Sequence, residues 1–318
     1  LALDDLARAG VAAFNAPFSN TRSVVELVIS EIIALARRLG DRNTQMHHGV
    51  WRKSAIGSHE VRGRTLGIVG YGNIGAQISV LAEALGLSVM YYDVADKLPM
   101  GNAHRCDSLE ELLQSVDVVT VHVDGRADNT LLFGEQEFSM MRPRSLFLNL
   151  SRGHVVDVAA LADNLRTGHL AGAAVDVYPS EPRSGDEPFV SELQSLDNVI
   201  LTPHVGGSTQ EAQIDIGRYV AGKLIDYSER ASTSMSVNLP DITTGATPGA
   251  RIGHLHLNMP GIMADLNRLV ADHGGNVTYQ ALATRGELGY TVLDIDETDR
   301  ELLVDVTRLE GTIRARVL

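Results

Sequence analysis

Thr65-Leu66-Gly67-Ile68-Val69-Gly70-Tyr71-Gly72-Asn73-Ile74-Gly75 is the stretch that decides the fold. A short apolar strand runs directly into G-x-G-x-x-G. Beyond it Ile74, Ile78, Leu81, Ala82 and Leu85 recur at helical spacing until Gly86 caps the helix. Strand, glycine turn and helix in this order are the context in which the pattern signifies a dinucleotide site. Gly70 permits the tight turn, Gly72 lets a pyrophosphate approach the backbone, and Gly75 allows close helix–strand packing. The first amides of the helix, with its dipole, suit the phosphates and bring Asn73 and Ile74 to them. Ser88 to Tyr92 reads as the next strand. Asp93 ends it, eighteen residues past Gly75. A carboxylate there bonds both ribose hydroxyls and repels a 2′-phosphate, so the expected cofactor is NAD rather than NADP.

Outward from this unit, strands and helices alternate from about residue 20 to 205. Val24 to Leu39 is apolar on more than one face and reads as a buried helix. Further strands are expected at Val118 to Val123, Leu146 to Asn149, Gly172 to Val177 and Val199 to Thr202, with helices at Leu109 to Gln114 and from Asp157 to Gly168. Continuous apolar strands with helices between them imply an α/β, doubly wound parallel sheet covered on both faces. The start reads as a helix, Leu1 to Ala9, stopped by Gly10, then a short strand from Val11 to Phe14. An opening this abrupt, without Met, suggests a missing N-terminal segment. After Val237-Asn238-Leu239-Pro240, residues 241–250 are rich in Thr, Gly and Pro and read as a linker and hinge. Residues 251–318 then follow β-α-β-β-α-β, a ferredoxin-like plait with a hairpin through Arg285-Gly286.

The chain has 318 residues, enough for two or three domains, with 44% hydrophobic and 21% charged residues. That is the composition of a folded protein, not of a disordered one. No apolar run reaches the ~18 residues of a membrane span. A net charge of −13 disfavours nucleic acid as a partner. The single cysteine, Cys106, excludes an intrachain disulfide and fits the cytoplasm. No pattern of metal ligands stands out, so no metal is expected.

Three residues carry chemistry. Arg152 follows the strand Leu146 to Asn149 in Asn149-Leu150-Ser151-Arg152-Gly153. Glu181 follows Gly172 to Val177 in Asp176-Val177-Tyr178-Pro179-Ser180-Glu181-Pro182. His204 follows Val199 to Thr202 in Thr202-Pro203-His204-Val205-Gly206-Gly207-Ser208. Ligands of doubly wound sheets bind at that carboxyl edge. Oxidising a 2-hydroxy acid needs a proton acceptor, which histidine supplies near neutral pH. A glutamate on its other ring nitrogen orients it, and an arginine grips the substrate carboxylate. Singly, an arginine after a strand is a surface salt bridge and a histidine before Gly-Gly a loop residue; the set is what signifies. Trp51, beside Arg52 and Lys53, reads either as an interface anchor above a phosphate-attracting pair or as an ordinary tryptophan with a solvated basic pair.

The ordered motifs G-x-G-x-x-G, Asp, N-x-S-R-G, D-V-x-x-x-E-P and T-P-H-x-G-G-S resemble the D-isomer-specific 2-hydroxyacid dehydrogenases. The similarity is strongest to the short bacterial branch with a C-terminal ACT domain, through Phe14 to Val24, Gly49 to Lys53, Pro203 to Gln210 and Gly311 to Arg316. The resemblance implies catalytic roles for Arg152, Glu181 and His204. It implies cofactor contacts by Gly70, Gly72, Asn73, Ile74, Gly75, Asp93, Leu150, Ser151, Arg152, Asp176, His204, Val205, Gly206 and Gly207, and substrate contacts by Asn20 and Arg152. It divides the chain into remnants of a substrate domain at 1–19 and 208–240, a Rossmann domain at 20–207, the linker and the ACT domain at 251–318. About 90 residues of the family's substrate domain are absent, so weak turnover is expected of this chain. His122-Val123-Asp124 departs from the family's H-V-P.

His254-Leu255-His256-Leu257-Asn258-Met259-Pro260-Gly261 is similar to the serine-binding loop of that branch, Met259 replacing a basic residue. The resemblance implies a serine site at His256, Asn258 and Asn276. It further implies NAD-dependent oxidation of D-3-phosphoglycerate to 3-phosphohydroxypyruvate, the first step of L-serine synthesis, with serine as inhibitor and a homotetramer as assembly. The alternatives are another D-2-hydroxyacid dehydrogenase, for glycerate or 2-hydroxyglutarate, and a non-catalytic NAD-binding regulator; the ACT module and the intact Arg-Glu-His set argue against them.

Overall fold

The computed structural model describes residues 2–246, 249–296 and 300–318. The chain forms two compact units, Phe18–Gln213 and Leu1–Pro17 with Ile214–Leu318. Helix α1 (Leu3–Arg8) belongs to the latter.

The 18–213 unit runs α2 (Thr21–Arg37), α3 (Leu39–His47), β1 (Thr65–Val69), α4 (Asn73–Ala84), β2 (Ser88–Tyr92), β3 (His104–Arg105), α5 (Leu109–Ser115), β4 (Val118–Val121), α6 (Glu135–Met140), β5 (Ser145–Asn149), α7 (Val158–Arg166), β6 (Leu170–Val175) and β7 (Val199–Leu201). The sheet is parallel throughout, in the order β3-β2-β1-β4-β5-β6-β7. Its central strands are mostly apolar on both sides because each face has its own core. Val69, Val119, Val121 and Phe147 join one core with Phe133 and Phe138. Leu66, Ile68, Val118 and Leu148 join the other with Val25, Val28 and Ile32 of α2 and Ile78 of α4. Each such side chain contributes ~1.5–3 kcal/mol of burial. Order reverses between β1 and β4, and the glycine turn opens at that switch point.

Helix α8 (Gln210–Arg230) buries only Ala212. The C-terminal strands β8 (Ala250–Leu257), β9 (Val277–Arg285), β10 (Leu288–Ile295) and β11 (Thr312–Val317) are antiparallel in the order β11-β8-β10-β9. α9 (Ile262–Asp272) and α10 (Arg300–Arg308) cover one face over Ile252, Leu266, Val270, Leu293 and Leu302. Ala7, Ala231, Leu239 and Ile242 close the other over Leu255, Tyr290 and Val292. This is the doubly wound domain plus ferredoxin-like plait expected from the sequence. In the stretch read as a linker, Ile242 is buried in that second core and Thr244 donates to the Arg230 carbonyl.

The strand expected at Val11 to Phe14 does not form; only Phe14 makes a bridge, to Ser236. Asn238 takes the ladder's place, accepting from the Ala13 amide at 2.8 Å and donating to the Val11 carbonyl at 2.9 Å. β4 ends two residues earlier than expected. β6 runs over Leu170–Val175 rather than to Val177, and the Val175 carbonyl accepts both the Thr202 amide at 3.1 Å and the Tyr178 hydroxyl at 2.8 Å.

Candidate active site

Gly70 has φ +91°, and a Cβ there would lie 2.7 Å from the His122 carbonyl, so glycine is required where the turn passes β4. Gly72 begins α4 without any side-chain cap. The first amide of the helix that finds a carbonyl is Ala76, on Gly72. The amides of Asn73, Ile74 and Gly75 therefore find no carbonyl partner in the helix, and Gly72 beside them borders open space, an arrangement suited to an anion. Asp93 lies beside it. Its carboxylate accepts from the Tyr71 amide at 2.8 Å and the Ala95 amide at 2.8 Å, which aims it along the glycine turn. These residues fit a dinucleotide. Asp124, the departure from the family pattern, is exposed and bonded to Arg126 at 2.8 Å and Asn129 at 2.9 Å. The hydrogen bond from Arg126 is the main reason its carboxyl lies below the usual range.

His204 and Glu181 meet across the carboxyl edge. The imidazole Nδ1 lies 2.9 and 3.1 Å from the two Glu181 oxygens. A carboxylate only accepts, so Nδ1 carries the proton and Nε2 is the atom free for exchange. Glu181 is also held by the Tyr178 amide at 3.1 Å. Partial burial acts to raise its carboxyl, but the hydrogen bonds from His204 and Tyr178, with the charges of His204 and Arg152, outweigh it and bring it below the usual value. Arg152 projects from a turn braced by Asn149, whose amide donates to the Arg152 carbonyl at 3.1 Å. Gly153 touches the Tyr178 carbonyl so closely that any Cβ would overlap it, which draws the Arg152 turn and the Glu181 loop together. Leu150 is packed in the core, and Ser151 is buried with its hydroxyl on Asn149 at 2.8 Å.

His204 has φ +55°, a left-handed conformation. Asp176 imposes it. Its carbonyl accepts from the His204 amide at 2.8 Å. Its buried carboxylate accepts from Thr202 Oγ1 at 2.6 Å, the Val205 amide at 2.8 Å and the Gly206 amide at 2.8 Å. Asp176, expected among the cofactor contacts, thus has both oxygens engaged by the histidine loop. Asn20 packs against Gly207, and Ser23 Oγ bonds Thr209 Oγ1 at 2.8 Å, so the start of α2 braces the same loop. The sequence reading missed Thr202 and Glu31. Glu31, buried on α2, shows neither oxygen bonded among the described residues, and burial followed by the charge of Asp176 pushes its carboxyl up to about 8. The polar residue in an apolar helix was its only signal.

The three effector candidates separate within one chain. His256 is fully buried, its ring nitrogens bonded to the Leu257 carbonyl at 2.8 Å and Thr291 Oγ1 at 3.0 Å. Asn258 and Asn276 are exposed. Leu257 pairs with Leu288 at one end of β10, whereas Val277 pairs with Ile295 at the other.

A glycine turn opening a helix, an acid at the end of the next strand and a carboxylate–imidazole pair near an arginine fit an NAD-dependent dehydrogenase. Residues 29–206 match the family described as "D-isomer specific 2-hydroxyacid dehydrogenase, NAD binding domain", and residues 252–314 an "AHAS small subunit-like ACT domain". The D-3-phosphoglycerate dehydrogenase of Escherichia coli (strain K12) is 49% identical over 319 residues, covering 99% of this chain and 78% of the relative. That of Haemophilus influenzae is 49% identical, covering 97% and 76%. Among solved structures, D-2-hydroxyisocaproate dehydrogenase aligns with a TM-score of 0.68 at 28% identity over 72% of both chains. A glyoxylate reductase from Paecilomyes thermophila aligns with a TM-score of 0.67 at 28% identity, covering 74% of this chain and 71% of its own. The chain belongs to the D-isomer specific 2-hydroxyacid dehydrogenase family, with NAD as cofactor. Among the described residues no helix is long and apolar enough to cross a membrane.

Proposed function

We propose that the chain oxidises D-3-phosphoglycerate to 3-phosphohydroxypyruvate, the entry step of L-serine synthesis in the cytoplasm. The relatives of that name at 49% identity support the substrate. The observation that carries the chemistry is the His204–Glu181 pair at 2.9 Å on the sheet's carboxyl edge. NAD, when bound, supplies the hydride acceptor. His204 Nε2 takes the hydroxyl proton as hydride leaves the same carbon, and Glu181 favours the imidazolium that results. Arg152 grips the substrate carboxylate and polarises the reacting oxygen, with Asn20 beside it. Gly70, Gly72, Asn73, Ile74, Gly75, Asp93, Leu150, Ser151, Asp176 and Val205 to Gly207 line the cofactor. The test is an NAD-linked assay with 3-phosphoglycerate and with glycerate. Equal use of the two refutes the phosphorylated substrate.

L-Serine is the proposed effector, at a site that needs two copies of the chain. The β8–β10 ladder has eight pairs, which sets Asn258 and Asn276 about 24 Å apart along the strands. β9 is an edge strand, with Tyr279 and Leu282 exposed on it. Antiparallel joining of two β9 edges would bring Asn276 of one copy to the end of the sheet that carries Asn258 in the other. Such a joint fits a homotetramer with a second interface near the exposed Trp51. Buried His256 would then act by shaping the loop. Calorimetry with serine, beside sedimentation of the assembly, tests the site; serine binding to a monomer would refute it.

A further inference from the structure

A second concave site lies at the opposite edge of the parallel sheet. It is a cavity of about 260 Å³ whose lining includes Arg38, His59, Arg64, Arg144, Gly168 and Asn198. Arg64 immediately precedes β1, Arg144 precedes β5, and Gly168 and Asn198 lie just ahead of β6 and β7. Its floor is therefore the amino ends of strands whose carboxyl ends carry Arg152, Glu181 and His204. A five-residue strand spans about 16 Å, so a small ligand in one place does not reach the other.

Three guanidiniums and an imidazole line it, and of these only Arg38 has a carboxylate partner among the described residues. Arg38 is paired with Asp41, and its Nη1 remains beside Gly57. Arg64 donates its Nε to the Glu60 carbonyl at 3.1 Å, and Arg144 makes a long 3.4 Å contact with the Gly168 carbonyl. Among the described residues no carboxylate pairs with Arg64, Arg144 or His59. The surrounding segment, residues 37–64, holds seven Lys or Arg against two acids, in a chain of net charge −13. A concave region of one sign concentrates ions of the other.

The backbone adds an independent sign. Arg144 has φ +69° and Arg38 φ +55°, the left-handed region that glycine occupies freely and that a side chain disfavours. Both positions carry arginine in spite of that. We propose that this pocket binds a small phosphorylated anion, gripped by Arg64 and Arg144 with Arg38 and His59 at its rim. The planar guanidinium fork matches phosphate oxygens two at a time, which a single surface lysine does not. The volume takes one phosphate with a few further atoms and excludes a dinucleotide.

The experiment uses protein saturated with NADH, so that the Gly70–Gly75 cradle is filled. Inorganic pyrophosphate and glycerol 2-phosphate are titrated separately by calorimetry into wild type, Arg144→Gly and Arg64→Gln. Glycine suits the left-handed backbone at 144, so that variant loses the guanidinium without strain, and an unchanged unfolding midpoint checks its fold. Binding of either probe that weakens about tenfold in each variant, with NADH affinity unchanged, supports the proposal. Tighter binding of the ester identifies an organic phosphate as the ligand, and tighter binding of pyrophosphate an inorganic one. No binding at millimolar concentration overturns it. So does binding that persists in Arg144→Gly, which would place the anion in the catalytic cleft.

Discussion

Replacing Glu31 by Gln should stabilise the 18–213 unit increasingly as pH rises. Glu31 is 3% exposed and has no hydrogen-bond partner for either oxygen among the described residues. Burial, and then the charge of Asp176, pushes its carboxyl from 4.5 to about 8. The unfolded chain keeps it near 4.5. Between these values the folded protein holds a proton that the unfolded chain releases, so stability falls as pH rises, by ~1.4 kcal/mol per unit. The contribution is fully present below about pH 4.5 and lost as pH passes about 8. Across that window of about 3.5 units the loss is roughly 5 kcal/mol, of which about 3 has accrued at neutral pH. Gln has the same shape and never ionises, so the variant escapes this loss while leaving a buried polar group in place. Urea unfolding followed by circular dichroism, at steps from about pH 5 to about pH 8.5, measures the difference. The two proteins should match within about 1 kcal/mol at the acid end and separate by several at the alkaline end. A difference that stays constant across the range would mean that Glu31 does not titrate in the window, and the reasoning would fail.

His204→Asn should lower turnover by ~10²–10⁴, the usual contribution of general acid–base catalysis, with NADH affinity nearly unchanged; turnover within a few-fold of wild type would sink the assignment. Asp93→Ser with a new basic neighbour should narrow the preference for NADH over NADPH, and a wild type that uses NADPH equally well contradicts the reading of Asp93. Asn258→Ala should relieve serine inhibition while leaving uninhibited turnover near normal, read from inhibition curves beside calorimetric serine binding. An inhibition curve unchanged from wild type would refute the effector site.

The sheet was legible because its strands are buried on both faces and its turns carry glycines. Thr65 to Gly75 shows the strand, the turn and the opening of the helix, and Arg152, Glu181 and His204 stand out as candidates because each follows a strand. What stayed hidden lacked periodic burial. α3 buries no residue, and α8 buries only Ala212 although Ile216, Val220 and Leu224 recur along it at helical spacing. The false strand at Val11 to Phe14 had suitable residues, but its backbone groups went to the distant side chain of Asn238, which no local pattern reports. The role of Asp176 was hidden similarly, because its partners at 202, 205 and 206 lie a strand away in sequence.

Asp176 and Glu31 show how one fold sorts two buried carboxyl groups. Both are almost fully enclosed, and the charge of Asp176 is felt at Glu31. Asp176 receives a hydroxyl and two backbone amides, and spends them shaping the turn that carries His204. Glu31 receives no donor among the described residues and is held neutral. Two ionised carboxylates in that enclosure would repel each other, so keeping Glu31 neutral removes a force that would push α2 from the loop. The same helix presents Val24 and Leu27 toward Gly206, and its start holds Asn20 on Gly207. The left-handed histidine is thus fixed from two sides: by hydrogen bonds donated to Asp176, and by a helix whose one buried acid carries no charge at neutral pH.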